Sequence, residues 1–197
     1  MTLSSVSSAA LLVGQCVLVI VSWLLQAMRI EGVRSMLSSE GIRWFIGGFS
    51  DIVASRLLVW LLLLLIALGS LQQSGVVAFF TTKGERSFRD RLALRVALGF
   101  LAIYAVVICM LTLTPHAILL SVKGSLFPSS FSRSIVPIVC FALTLFSVVY
   151  ATMSGNKKTG EDILGILSYG IRQGAPLVII YILAIQFYAS LRFVFMF

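Results

Sequence analysis

Acid is scarce in this chain, and its placement excludes more than its amount. The seven acidic residues are Glu31, Glu40, Asp51, Glu85, Asp90, Glu161 and Asp162, all in polar stretches or at the edges of apolar runs. Carboxylates inside a membrane commonly mark proton or ion relays, so their absence from the apolar centres argues against an autonomous ion-coupled pump. Also missing are HExxH, a paired-carboxylate site, a Walker loop and GxSxG, which argues against an enzyme. There is one histidine, His116, directly after Pro115. Cys109 lies seven residues earlier, but the proline breaks any helix between them and no orienting acid follows, so His116 reads as a boundary residue. The three cysteines, Cys16, Cys109 and Cys140, sit singly inside apolar runs without metal-ligand spacing. They read as core or lipid-facing thiols, with no disulfide framework, and no cofactor is implied.

What is abundant is apolar surface. The sequence is 59% hydrophobic and 11% charged, where a soluble domain carries about 25% charged residues. Five apolar runs approach the length that crosses a hydrocarbon core. The reading is an all-α integral membrane protein, one polytopic domain over 1–197, with about five transmembrane helices and two short amphipathic interfacial helices. The net charge of +8 fits basic residues flanking membrane spans. No recognition helix or aromatic-basic platform is visible, so no nucleic-acid partner is expected.

The first span is expected over 9–28; a cleaved signal peptide is disfavoured because no Lys or Arg precedes it. Gln15, Ser22 and Gln26 are expected to face protein, where interhelical hydrogen bonds are available. Residues 57–71 are the apolar centre of the second span, and 92–114, 134–153 and 175–197 are the third, fourth and fifth. Ala93 and Ala97 have the small-xxx-small spacing that permits close helix approach. Pro137 is expected in the first turns of its span, where a missing amide is tolerated. Gln186 is the one amide deep in the fifth span, and Arg192 near its end can snorkel.

Two connecting segments carry helix signals. Ser38 suits an N-cap, Glu40 the first turn, and Ile42, Phe45, Ile46 and Phe49 form a helical apolar stripe, with Trp44 at headgroup level. Thr159 and Asp162 have capping-box spacing, and Ile163, Ile166, Leu167 and Ile171 form a second stripe. Gly174 and Pro176 are expected to stop that helix, leaving a short piece along the membrane surface or against neighbouring spans. Lys83, Arg86, Arg89 and Arg91 form a basic cluster expected on the cytoplasmic side, in contact with anionic lipid.

At SIVPI (134–138), Tyr150, SGNKK (154–158), GEDI (160–163), AP (175–176), QFYA (186–189) and VRSMLSSEGIRWF (33–45), the chain resembles the bacterial p-aminobenzoyl-glutamate transporter family, AbgT. The GVVAF run after Gln73 is similar to the end of that family's second span. The resemblance implies a multi-pass, dimeric inner-membrane protein that moves small aromatic or folate-derived carboxylates, or antimetabolite drugs, on an ion gradient; this shorter chain is expected in a homo-oligomer or hetero-complex. Charge near 83–91 and the resemblance together place the N-terminus in the cytoplasm. Family members are much longer, and the two hairpins that form their substrate and ion region have no counterpart here, so those binding residues are not carried over. The matched positions, Gly41, Trp44, Pro137, Asp162 and Pro176, read as structural, and Gln186 is the candidate binding residue. The expected function is therefore transport-related but not autonomous. The alternative is a non-transporting scaffold or subunit that keeps the helical frame.

Overall fold

Helices long enough to cross a bilayer account for most of the chain. The computed structural model describes residues 3–30, 32–81, 87–113, 130–155 and 159–196. Lys83 and Arg86 of the basic cluster, Lys157 and Lys158 of SGNKK, and Pro115 with His116 lie outside these described residues. Among the described residues there are eight helices: α1 Leu3–Ala27, α2 Ser39–Gly47, α3 Phe49–Val53, α4 Arg56–Gln73, α5 Val76–Thr81, α6 Phe88–Leu113, α7 Ser130–Met153 and α8 Gly160–Phe195. No strand occurs among the described residues. α1, α4, α6, α7 and α8 are each long and apolar enough to cross a membrane, and the chain is an all-α, multi-pass membrane protein.

Its surface is the inverse of a soluble protein's. Val13, Val17, Ile20, Leu24, Ile103, Val106, Met110 and Leu177 are all exposed, as side chains facing lipid should be. Many of the buried positions are small: Ser22, Ser70, Ser147, Ser190, Ala67, Ala93, Ala97 and Ala151 retain no accessible surface. Small residues let helices approach closely where lipid removes any hydrophobic advantage of association. Three of these serines return their protons to their own helices. Ser22 donates to the Val19 carbonyl at 2.8 Å, Ser70 to Ala67 at 2.8 Å and Ser147 to Leu143 at 2.7 Å.

The chain divides into two compact units, one of Met1–Val59 with Gly174–Phe197 and one of Trp60–Gln173. In the first, α1 and the end of α8 lie side by side in parallel. Gly14 meets the Phe187 ring, Gln15 reaches Ser190, and Leu18 packs with Val194, so both numberings rise together. First and last of five crossings must run the same way, and this register agrees. The segment after α1 ties the two helices. The Arg34 amide donates to the Val194 carbonyl at 3.0 Å, satisfying an acceptor that the end of α8 leaves open. The Met36 amide donates to Ser22 Oγ at 3.1 Å. α2 then starts where the sequence predicts: Ser38 Oγ accepts from the Gly41 amide at 3.0 Å, and Glu40 sits in the first turn. The Ser55 and Tyr181 hydroxyls share a hydrogen bond between the start of α4 and α8.

In the second unit α6 and α7 run antiparallel. Ala93 and Ala97 pack with Tyr150, while Tyr104, further along α6, donates to the Ile138 carbonyl at 3.1 Å and faces Phe141. The small-xxx-small pair is thus the contact face of α6. Val76 of α5 joins the same cluster, and Phe79 meets the Tyr150 ring edge-on. α4 and α8 cross through two glycines, Gly69 and Gly170, each with the other's backbone where a Cβ would stand.

The expected helix stop at Gly174 and Pro176 is corrected. Gly174 and Pro176 do not end a helix: α8 is continuous for 36 residues with Pro176 inside it. Gly174 is not left-handed; among the described residues the left-handed glycines are Gly32, Gly75 and Gly155. One missing amide at Pro176 leaves one carbonyl open, whereas unwinding in hydrocarbon would open several. At 1.5 Å per residue α8 is about 54 Å long, well beyond a core of about 30 Å. The amphipathic stretch 160–173 is therefore the beginning of the last spanning helix rather than a separate surface helix. Its start is marked as expected, the Thr159 amide donating to Asp162 Oδ2 at 3.2 Å. Pro137 stands in the first turn of the span Ser134–Met153, as expected, although α7 itself begins four residues earlier at Ser130.

Candidate functional site

The strongest polar feature within a span is built by α1 and α8. Gln186 and Ser190 are four residues apart on α8 and so share one helix face. Ser190 is fully buried, and Gln186 retains 5% of its surface. Gln15 of α1 donates through Nε2 to Ser190 Oγ at 2.9 Å. Among the described residues, the buried side-chain polar atoms without a protein partner are Gln15 Oε1, Gln186 Nε2 and Gln186 Oε1. The contrast with Ser22, Ser70 and Ser147 is chemical. A hydroxyl reaches its own helix's carbonyl three or four residues back, whereas the longer amide of Gln186 finds no such partner. A primary amide offers two donors and one acceptor oxygen, and leaving such a group unpaired in a buried place costs about 1–3 kcal/mol. This amide can bind a small polar group by donating and accepting at once.

One turn further along α8, Ala189, Arg192, Phe193 and Met196 line a cleft of about 460 Å³ together with Arg34 and Trp44. Trp44 and Phe193 stack with ring centroids 4.5 Å apart and planes 16° from parallel. Gly41 lets α2 seat there, because a Cβ at Gly41 would stand 2.5 Å from the Ser35 carbonyl oxygen and 2.6 Å from that of Met36. Arg34 Nη1 pairs with Glu40 Oε1 at 3.2 Å, both side chains exposed.

Of the residues singled out from sequence, Gln186, Gly41 and Trp44 come together in the unit that holds both chain ends. Pro176, in the same unit, is exposed on α8 and touches neither feature. Pro137 and Asp162 belong to the other unit, where Asp162 caps α8. Ser22 is buried and Gln15 faces α8 as expected, while Gln26 is exposed. Ser190 and the Arg34–Arg192 pair escape a reading of the sequence. The four-residue spacing of Gln186 and Ser190 in an apolar helix is the signal that points to the first. No family model, curated protein or solved structure matches this chain.

Proposed function

We propose that this chain is a transport-related protein of a bacterial inner membrane, with its N-terminus in the cytoplasm. In this reading it handles a small aromatic carboxylate of the p-aminobenzoyl-glutamate kind and acts within a larger assembly, either of its own copies or with another polypeptide. The observation that carries the reading is the Gln186 amide: buried on the helix face it shares with Ser190, with neither polar atom partnered. A helix that only holds a frame together gains by pairing or deleting such a group, whereas a passage for a polar solute must keep hydrogen-bonding capacity for the cargo. The motif resemblance supplies the substrate class. The need for partners follows from the lack of carboxylates within the apolar centres, which leaves no evident proton or ion relay.

Uptake of labelled p-aminobenzoyl-glutamate tests this. Native membrane vesicles containing the chain should take it up faster than vesicles without it, and Gln186→Leu should abolish the difference. The purified chain in proteoliposomes should give no gradient-driven accumulation. Uptake indifferent to both the chain and Gln186→Leu would favour the scaffold reading. That second reading has its own support in the backbone-close crossing of Gly69 with Gly170 and in the fully buried Ala93 and Ala97, features of a tightly packed frame.

A further inference from the structure

We propose that the cleft between α2 and the end of α8 binds the phosphate of an anionic phospholipid. Position is the first argument. α1 and α8 run parallel in this unit, so their C-terminal ends emerge on the same face of the membrane. Arg34 follows the end of α1, and Arg192 lies in the last turn of α8. Both guanidinium groups thus line a cavity at the depth where spans end and headgroups begin. Trp44, on the amphipathic α2, suits the same depth.

Charge is the second argument. Two arginines from distant parts of the sequence line one cleft of about 460 Å³, within the range of small-ligand sites. The guanidinium fork matches phosphate oxygens two at a time, which an ammonium cannot do. Glu40, a carboxylate beside the cleft among the described residues, takes one hydrogen bond from Arg34 Nη1. A guanidinium carries five N–H donors, so that pairing leaves Arg34 able to bind an anion.

Shape selects a lipid over a free phosphate ester. The stacked Trp44 and Phe193 rings, with Ala189 and Met196, give the cleft an apolar wall, suited to the glycerol and the first acyl carbons.

Trp44 provides the readout. With Trp23→Phe and Trp60→Phe in the full chain, it is the remaining tryptophan. The protein is reconstituted in phosphatidylcholine vesicles, and brominated phosphatidylglycerol or brominated phosphatidylcholine is titrated as quencher. Trp44 should be quenched at a lower mole fraction of the anionic lipid. Basic residues near a membrane surface shift such a preference by about fivefold each. Arg34→Gln and Arg192→Gln should each lose about that factor, and the double variant should quench alike with both lipids. Arg34→Gln is the safer single variant, because its side chain is exposed and its backbone bond to Val194 is retained. Arg34→Lys should recover only part of the preference. Equal quenching by the two lipids in the Trp44 parent overturns the proposal. So does relief of anionic-lipid quenching by soluble glycerol phosphate at equal phosphate concentration, since the cleft would then be a site for free phosphate esters.

Discussion

Replacing Gln186 by leucine should stabilise the protein and, if the proposed function holds, abolish uptake. The side chain is 5% exposed, and both amide atoms lack a protein partner. Burying an unpaired polar group costs about 1–3 kcal/mol. A leucine of similar volume repacks at a cost usually below about 1.5 kcal/mol. The expected net effect is a gain of up to about 2 kcal/mol, tempered because an unfolded chain in a micelle also finds partners for the amide. Ser190→Ala is the matched control on the same helix face. It removes the acceptor of the Gln15 bond and leaves a second amide donor unpaired, so it should destabilise by about 1 kcal/mol. Equilibrium unfolding in mixed micelles of mild detergent and sodium dodecyl sulfate, followed by circular dichroism, separates the two signs. If Gln186→Leu destabilises as much as Ser190→Ala, the amide is engaged within the fold, and the argument for a retained cargo contact fails. A stabilised variant that no longer supports uptake would instead show the trade between stability and activity expected of a functional polar group.

Other consequences are as direct. Gly170→Ala places a methyl on the Leu65 carbonyl and should cost about 1–3 kcal/mol in the same unfolding assay. Gly165→Ala, with open space around it, should gain about 0.5–1 kcal/mol. Ser38→Ala removes the acceptor of the Gly41 amide and should cost about 0.5–2 kcal/mol, read as faster hydrogen exchange at that amide. Asp162→Ala should fray the first turn of α8 and speed exchange at the Thr159 amide, whereas Thr159→Ala keeps that backbone donor. Orientation is tested in a cysteine-free background carrying Ser39→Cys or Ser87→Cys, both at exposed positions. An impermeant maleimide added to intact cells should label the first and spare the second, and the opposite pattern would place the N-terminus outside.

Membrane class, the five spans and the α2 cap could be read from the sequence because each is a local property. A run of apolar residues matches or fails to match a hydrocarbon thickness, and Ser38 caps within three residues of itself. The small pair Ala93 and Ala97 was legible for the same reason, as spacing on a single helix. Tertiary structure decided what locality could not. Gly174 and Pro176 carry a strong local stop signal, yet α8 runs through both, because opening backbone polar groups in hydrocarbon costs more than one lost hydrogen bond. The parallel register of α1 with α8, and the crossing at Gly69 and Gly170, depend on which small residues meet across the chain. The candidate site divides along the same line. Gln186 stands out in sequence as an amide in an apolar helix. That its amide lacks a partner while Ser190 takes the one from Gln15, and that Arg34 and Arg192 line one cleft, are facts of packing between residues at opposite ends of the chain.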